Sequence, residues 1–139
     1  MKKQEKYLSR RILACIIDYS LILIYTSVHF YLFGVLNEEG GYSLNGLPAF
    51  SVFIFWFMMT IGMEQFLGAT IGNLINKIKP SSITSDGYYK ISFIQSVKRR
   101  LLDPIDMAFF GIVALISINT TEKGQRLGDL WAKTKVIKI

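Results

Sequence analysis

The stretch Ser9-Arg10-Arg11-Ile12-Leu13-Ala14-Cys15-Ile16-Ile17-Asp18-Tyr19 decides how this chain is read. Two arginines stand at the start of an apolar run, and an aspartate follows inside the same run. Arg11 and Asp18 are seven residues apart, so on a helix they share a face, with Asp18 about 10 Å further along the axis. A bare acid at that depth in a bilayer costs roughly 2.5–3.5 kcal/mol, so Asp18 is expected to face protein or water rather than lipid.

The run continues from Ile12 to Phe33, about 22 residues or about 33 Å of helix, enough to cross a membrane. A secretory signal also opens on a basic lead, but its apolar core is shorter and ends in a small-residue cleavage site. The expectation is a retained transmembrane helix over about 9–34 with its N-terminus in the cytoplasm. A turn-rich outer loop over 35–47 contains Asn37-Glu38-Glu39-Gly40-Gly41 and Asn45-Gly46. Pro48 suits the first turn of a second helix, over about 48–73. On it Thr60, Glu64, Gly68 and Gly72 recur every four residues, which predicts one packed face, with Gly68 and Gly72 allowing close helix approach. Glu64 then lies about 14 Å short of the helix end.

Composition agrees with a membrane protein. Apolar residues make up 51% of the chain and charged residues only 19%, with a mean hydropathy of +0.36. A chain of 139 residues is too short to wrap two such helices in a soluble core. The net charge of +6 is distributed by segment. Lys2, Lys3, Lys6, Arg10 and Arg11 face only Glu5 in the lead, and Lys77, Lys79, Lys90, Lys98, Arg99 and Arg100 face only Asp86, while the outer loop holds two glutamates. This is a positive-inside pattern, pointing to a multi-pass protein of the cell membrane that touches anionic lipid headgroups and does not bind nucleic acid.

Residues 74–91 read as a cytoplasmic hairpin, with Leu74 to Lys79 alternating at period two and Asp86-Gly87 as the turn. A broken third helix follows over about 92–118, interrupted at Asp103-Pro104. Its apolar part, Met107 to Ile118, is about 12 residues and too short to span alone. A continuous third span would place the tail, 119–139, outside. The tail's basic balance favours a re-entrant break that returns it to the cytoplasm, where Thr134 to Ile139 can pair with the hairpin. Arg99 to Asp106 repeats the Arg11 to Asp18 interval, which raises an internal repeat as an expectation. The fold class expected is an all-α membrane protein of one unit, 1–139, with three transmembrane or re-entrant helices and a small cytoplasmic β-element.

With these residues in view, the chain resembles the RDD family of small integral membrane proteins. Arg10, Arg11, Ala14, Ile17 and Asp18 are similar to the family's opening. Gly68, Thr70 and Gly72 resemble its Gly-x-Thr-x-Gly signature, with Glu64 where a glutamate is common. Gly124-Gln125-Arg126-Leu127-Gly128-Asp129 through Val136 resembles its ending. Asn73 and Lys133 depart from the pattern, where a basic residue and a glycine are usual. The resemblance implies Asp18 and Asp129 as the two name-giving aspartates and Arg11 or Arg10 as the arginine. It also implies a transporter of undefined ligands, with cation–proton exchange in some members.

The chemistry-bearing residues are acids. Asp18, Glu64, Asp103 and Asp106 are the ion or ligand candidates, with Thr60 and backbone carbonyls near Gly68 or Pro104 as further oxygen donors. The alternative role for these acids is an ion-pair network with Arg10, Arg11, Arg99, Arg100 and Arg126 that fixes helix register. Enzyme chemistry is not expected: Cys15 and His29 sit about 20 Å apart along one helix, and no phosphate loop or metal-ligand spacing occurs. No metal and no cofactor are expected. Two functions remain, transport of a cation or other small solute as a homo-oligomer, or a non-catalytic subunit of a larger membrane complex.

Overall fold

The computed structural model describes residues 6–84 and 86–139. Lys2, Lys3 and Glu5 of the basic lead lie outside them. Helix α1 spans Leu8–Phe33 without a proline or glycine and ends at Gly34. Of its residues only Ala14 and Asp18 are buried. A two-stranded turn (β1 Val35–Leu36, β2 Tyr42–Ser43) leads into α2, Gly46–Phe57. A π-turn over Met58–Gly62 joins α2 to α3, Met63–Phe66. The rings of Tyr25 and Phe55 stack at 3.9 Å and hold α1 to α2. Leu8–Phe33 and Gly46–Phe66 are each long and apolar enough to cross a membrane. Only 11% and 17% of their most apolar windows are buried in the chain, the reverse of a soluble core helix.

The second helix is shorter than the sequence suggests. It stops at Phe66 because Gly68 takes a left-handed backbone, φ +80°, which breaks the α-helical path. Thr70 then caps a new helix, α4 Ile71–Ile75, its hydroxyl accepting from the Asn73 N–H at 3.4 Å. The expected stripe through Thr60, Glu64, Gly68 and Gly72 is therefore cut at Gly68, and Glu64 sits in the last turn of α3 rather than about 14 Å inside. Leu74 and Ile75 are helical, so the hairpin begins later than 74.

The sheet has the order β4-β3-β5, all antiparallel, with β3 Ile78–Thr84, β4 Gly87–Tyr89 and β5 Thr134–Lys138. The tail thus pairs with the hairpin, and it lies at the same end of the molecule as the start of α1. Ala14, Ile78 and Val136 form the small buried core there. Pro80 is tolerated in the middle strand for a definable reason. Ile83 N–H donates to Lys133 O and Lys77 O accepts from Ile139 N–H, so odd-numbered β3 residues bond β5. Pro80 directs its missing donor to the other side, which β4 does not reach because its pairing stops at Ser82↔Tyr89.

The third apolar segment is broken twice. Helix α5, Phe93–Leu101, starts on a Ser92/Gln95 capping box, and α6, Asp103–Asp106, has Pro104 in its first turn. Helix α7, Ala108–Thr120, contains three left-handed residues, Phe109, Phe110 and Gly111. That second break has no proline signal and costs roughly 1–2 kcal/mol per non-glycine residue. The chain ends with α8, Leu127–Ala132, and β5.

An internal repeat runs through the molecule, and its clearest mark is in the backbone. Gly68, Thr70, Gly72 and Lys77 correspond at one constant interval to Gly124, Arg126, Gly128 and Lys133. Gly68 and Gly124 are both left-handed turns, Thr70 and Arg126 are both N-caps, and Lys77 and Lys133 are both left-handed entries to a strand. Asp18 accepts from Gly72 N–H at 2.7 Å, and Asp106 accepts from Gly128 N–H at 3.2 Å. In the β3–β5 ladder Ile78 pairs Lys138 and Ser82 pairs Thr134, a register symmetric about the Pro80↔Val136 pair. The two halves are therefore related by a pseudo-twofold axis between those two residues.

Candidate functional site

Where the two repeats meet, the side chains of five separate segments bring their charges together. Arg11 from α1 donates from Nη2 to Asp129 Oδ2 at 2.6 Å and from Nη1 to the Gly124 carbonyl at 2.6 Å. Arg99 from α5 reaches two acids, donating from Nε to Asp129 Oδ1 and from Nη1 to Glu64 Oε1, both at 2.9 Å. Arg100 donates to the same Glu64 oxygen at 2.5 Å and to Asp103 Oδ2 at 3.2 Å. Arg126 pairs Asp103 Oδ1 at 2.8 Å, close as an ion pair but out of line for a hydrogen bond. Glu64, Asp106 and Asp129 are fully buried. Burial alone would raise the Asp129 carboxyl, but Arg99, Arg11 and Arg126 outweigh it and hold the group well below the usual carboxylate range.

Asp18 stands apart from the arginines. Arg11, seven residues earlier on the same helix, turns to Asp129. Asp18 instead accepts from Thr70 Oγ1–H at 2.6 Å and from Gly72 N–H at 2.7 Å, so it anchors the start of α4 against α1. Each glycine-signature position then has its own reason: Gly68 makes the turn, Thr70 caps, and Gly72 lets the backbones meet. A Cβ on Gly72 would collide with the Ala14 carbonyl. Asp106 does the same for the second repeat, accepting from Leu127 and Gly128 N–H at 3.1 and 3.2 Å. Gly128 lies against the Arg99 backbone, where a Cβ would come within 2.7 Å of the carbonyl oxygen. Arg10 is outside the cluster, donating to the Asn76 carbonyl at 3.1 Å.

A cavity of about 330 Å³ opens between α1 and α7 above this cluster. Its charged end is formed by Arg11, Arg99, Arg100 and Arg126, with Asp18 the only acid on its wall among the described residues. Its apolar sides are Ile12, Cys15 and Ile16 of α1 and Ala114, Leu115 and Ile118 of α7. Glu64, Asp103, Asp106 and Asp129 sit behind the arginines and do not line it. Among the described residues no group of three or more His, Cys, Asp or Glu side chains is placed to hold a metal ion. The α7 side of this cavity was not among the positions expected from sequence. No polar motif marks it, and only the twofold relation of the repeats reveals why α1 and α7 face each other.

Two helices fit to cross a bilayer, a short broken third segment, and a buried arginine–carboxylate cluster together describe an integral membrane protein. The chain matches the RDD family model over residues 7–133 and belongs to the RDD family. Searches of curated proteins and of solved structures returned no match.

Proposed function

We propose that this RDD-family membrane protein binds a small anion in the cavity between its two repeats and moves it between bilayer and water. The observation that carries this is the sorting of charge: among the described residues four arginines but one acid line the cavity, while the carboxylates that offset them lie behind. A cation approaching there meets guanidinium groups first, which argues against the cation exchange expected from the acids alone. Paired repeats with a site at their interface are also a transporter architecture, which supports the reading by analogy.

The end that carries Lys6, Arg10, Lys77, Lys79 and Lys98 is read as cytoplasmic, and the Glu38-Glu39 loop as external, on the positive-inside rule. A second reading, a non-catalytic subunit, draws on the exposed Phe50 and Phe53 of α2. Stoichiometric co-purification of another membrane protein would favour it.

The test is made on the full chain in two formats. In neutral detergent, inorganic phosphate should raise the unfolding temperature above that in sodium chloride of equal ionic strength. In proteoliposomes carrying a pH-sensitive dye, Na⁺, K⁺ or Li⁺ should drive no proton movement above protein-free vesicles. Cation-driven proton flux that disappears in Asp18→Asn would overturn the proposal.

A further inference from the structure

The two repeats are unequal in one respect. In the first, α1 is followed by α2–α3, which brings Glu64 to Arg99 and Arg100. In the second, the same constant interval sets the end of α7 against the end of α2–α3, each running into its left-handed glycine turn, but α7 is shorter and Thr120 stands where the first repeat has Glu64. The α2–α3 segment packs against α1 and α5. The twofold relation maps the start of α1 onto α5–α6 and α2–α3 onto α7, so the place where Glu64 meets α5 corresponds to the space between α7 and α1. That place is the cavity. The relation also maps Arg99, which takes the Glu64 carboxylate, onto Arg11, which lines the cavity. With threonine in place of Glu64 in the second repeat, this slot lacks that carboxylate and calls for an anion beside its apolar walls.

We propose that an anionic membrane lipid fills this slot, its headgroup phosphate at the arginine floor and an acyl chain between α1 and α7. The inference rests on the anion-site reading above and names the chemical class of its ligand. A cavity of about 330 Å³ holds a headgroup and the first part of a chain. It does not hold a helix, which with side chains is about 10–12 Å across. The apolar walls continue onto the outer faces of both helices, where Ile16 is 56% and Ile116 is 58% exposed, so a chain can run out into the bilayer. The guanidinium fork matches phosphate oxygens, and the buried Nε atoms of Arg100 and Arg126 have no hydrogen-bond partner.

The experiment is native mass spectrometry of the full chain released from neutral detergent, with thermal unfolding alongside. The probes are dioleoyl phosphatidylglycerol, dioleoyl phosphatidylcholine and glycerol 3-phosphate. Phosphatidylglycerol should be retained as a single adduct with about tenfold preference over phosphatidylcholine, a difference of about 1.4 kcal/mol. Ala114→Trp, which fills the apolar half without touching a charge, should abolish that preference. Leu115→Trp provides an independent block should Ala114→Trp fail to fold. Equal retention of the two lipids, or retention unchanged in a folded blocking variant, overturns the proposal. Binding of glycerol 3-phosphate as tight as the lipid also overturns it but leaves the anion site standing. Binding of none of the three removes both. A stoichiometric dimer that cross-links through Ala114→Cys gives the slot to a second copy and overturns the lipid.

Discussion

Asp129 shows how a single carboxylate can tie the molecule together. It is fully buried, yet it receives Arg11 from the first helix and Arg99 from the second repeat on separate oxygens. Its folded pKa is depressed, so its stabilising contribution is complete above the unfolded value of about 3.9 and is lost as pH falls through the lower folded value. Unfolding free energy in detergent should therefore decline below about pH 4 in the wild type. Asp129→Asn should be less stable at neutral pH and show a shallower acid limb; identical acid limbs would contradict the assignment. The role of this residue was half legible in sequence. The family-like tail singled out Asp129 and the N-terminal stretch singled out Arg11, but their union spans nearly the whole chain and no local spacing encodes it. Asp18 misled for the opposite reason. Its helical spacing from Arg11 is real, yet a nearer donor pair, Thr70 Oγ1 and Gly72 N–H, claims the carboxylate.

Among the elements, hydrophobic length was easy to read and interruption was not. The spans of α1 and of Gly46–Phe66 follow from unbroken apolar runs, because such a run has no other stable place to go. The end of the second span was overestimated because a glycine at the four-residue spacing reads equally well as a packing contact or as a left-handed break. At Gly72 the contact reading is correct, and at Gly68 the break. These two roles predict different outcomes. Gly68→Ala has open space around its Cβ and should cost only the left-handed backbone, about 1–2 kcal/mol. Gly72→Ala drives a methyl into the Ala14 carbonyl and should also strain the Asp18 cap, costing about 1–3 kcal/mol from overpacking together with weakening of the cap. Equilibrium unfolding of the two variants checks the order, and Gly68→Ala proving the more damaging would contradict it. The twofold repeat was only partly legible in side chains for a related reason. The Arg-to-Asp interval, the two glycines and the lysine before the strand repeat in residue type, whereas Thr70 and Arg126, or Asn73 and Asp129, share a backbone role with different chemistry.

As a whole, the molecule is held at one end by polar contacts rather than by a large apolar core. Its buried apolar cluster is small, and its helices turn most of their apolar surface outward. Specificity of assembly then falls to the arginine–carboxylate cluster, in which breaking one partner of a buried pair costs about 3–5 kcal/mol. The Arg11–Asp129 pair is the bond between the first helix of one repeat and the last helix of the other. A double-mutant cycle on it, Arg11→Gln and Asp129→Asn alone and together, read by equilibrium unfolding in mixed micelles, tests that view most directly. Strong non-additivity is expected, a coupling of about 2 kcal/mol or more. Losses that add to within about 0.5 kcal/mol would show the two charges to be independent, and would contradict it.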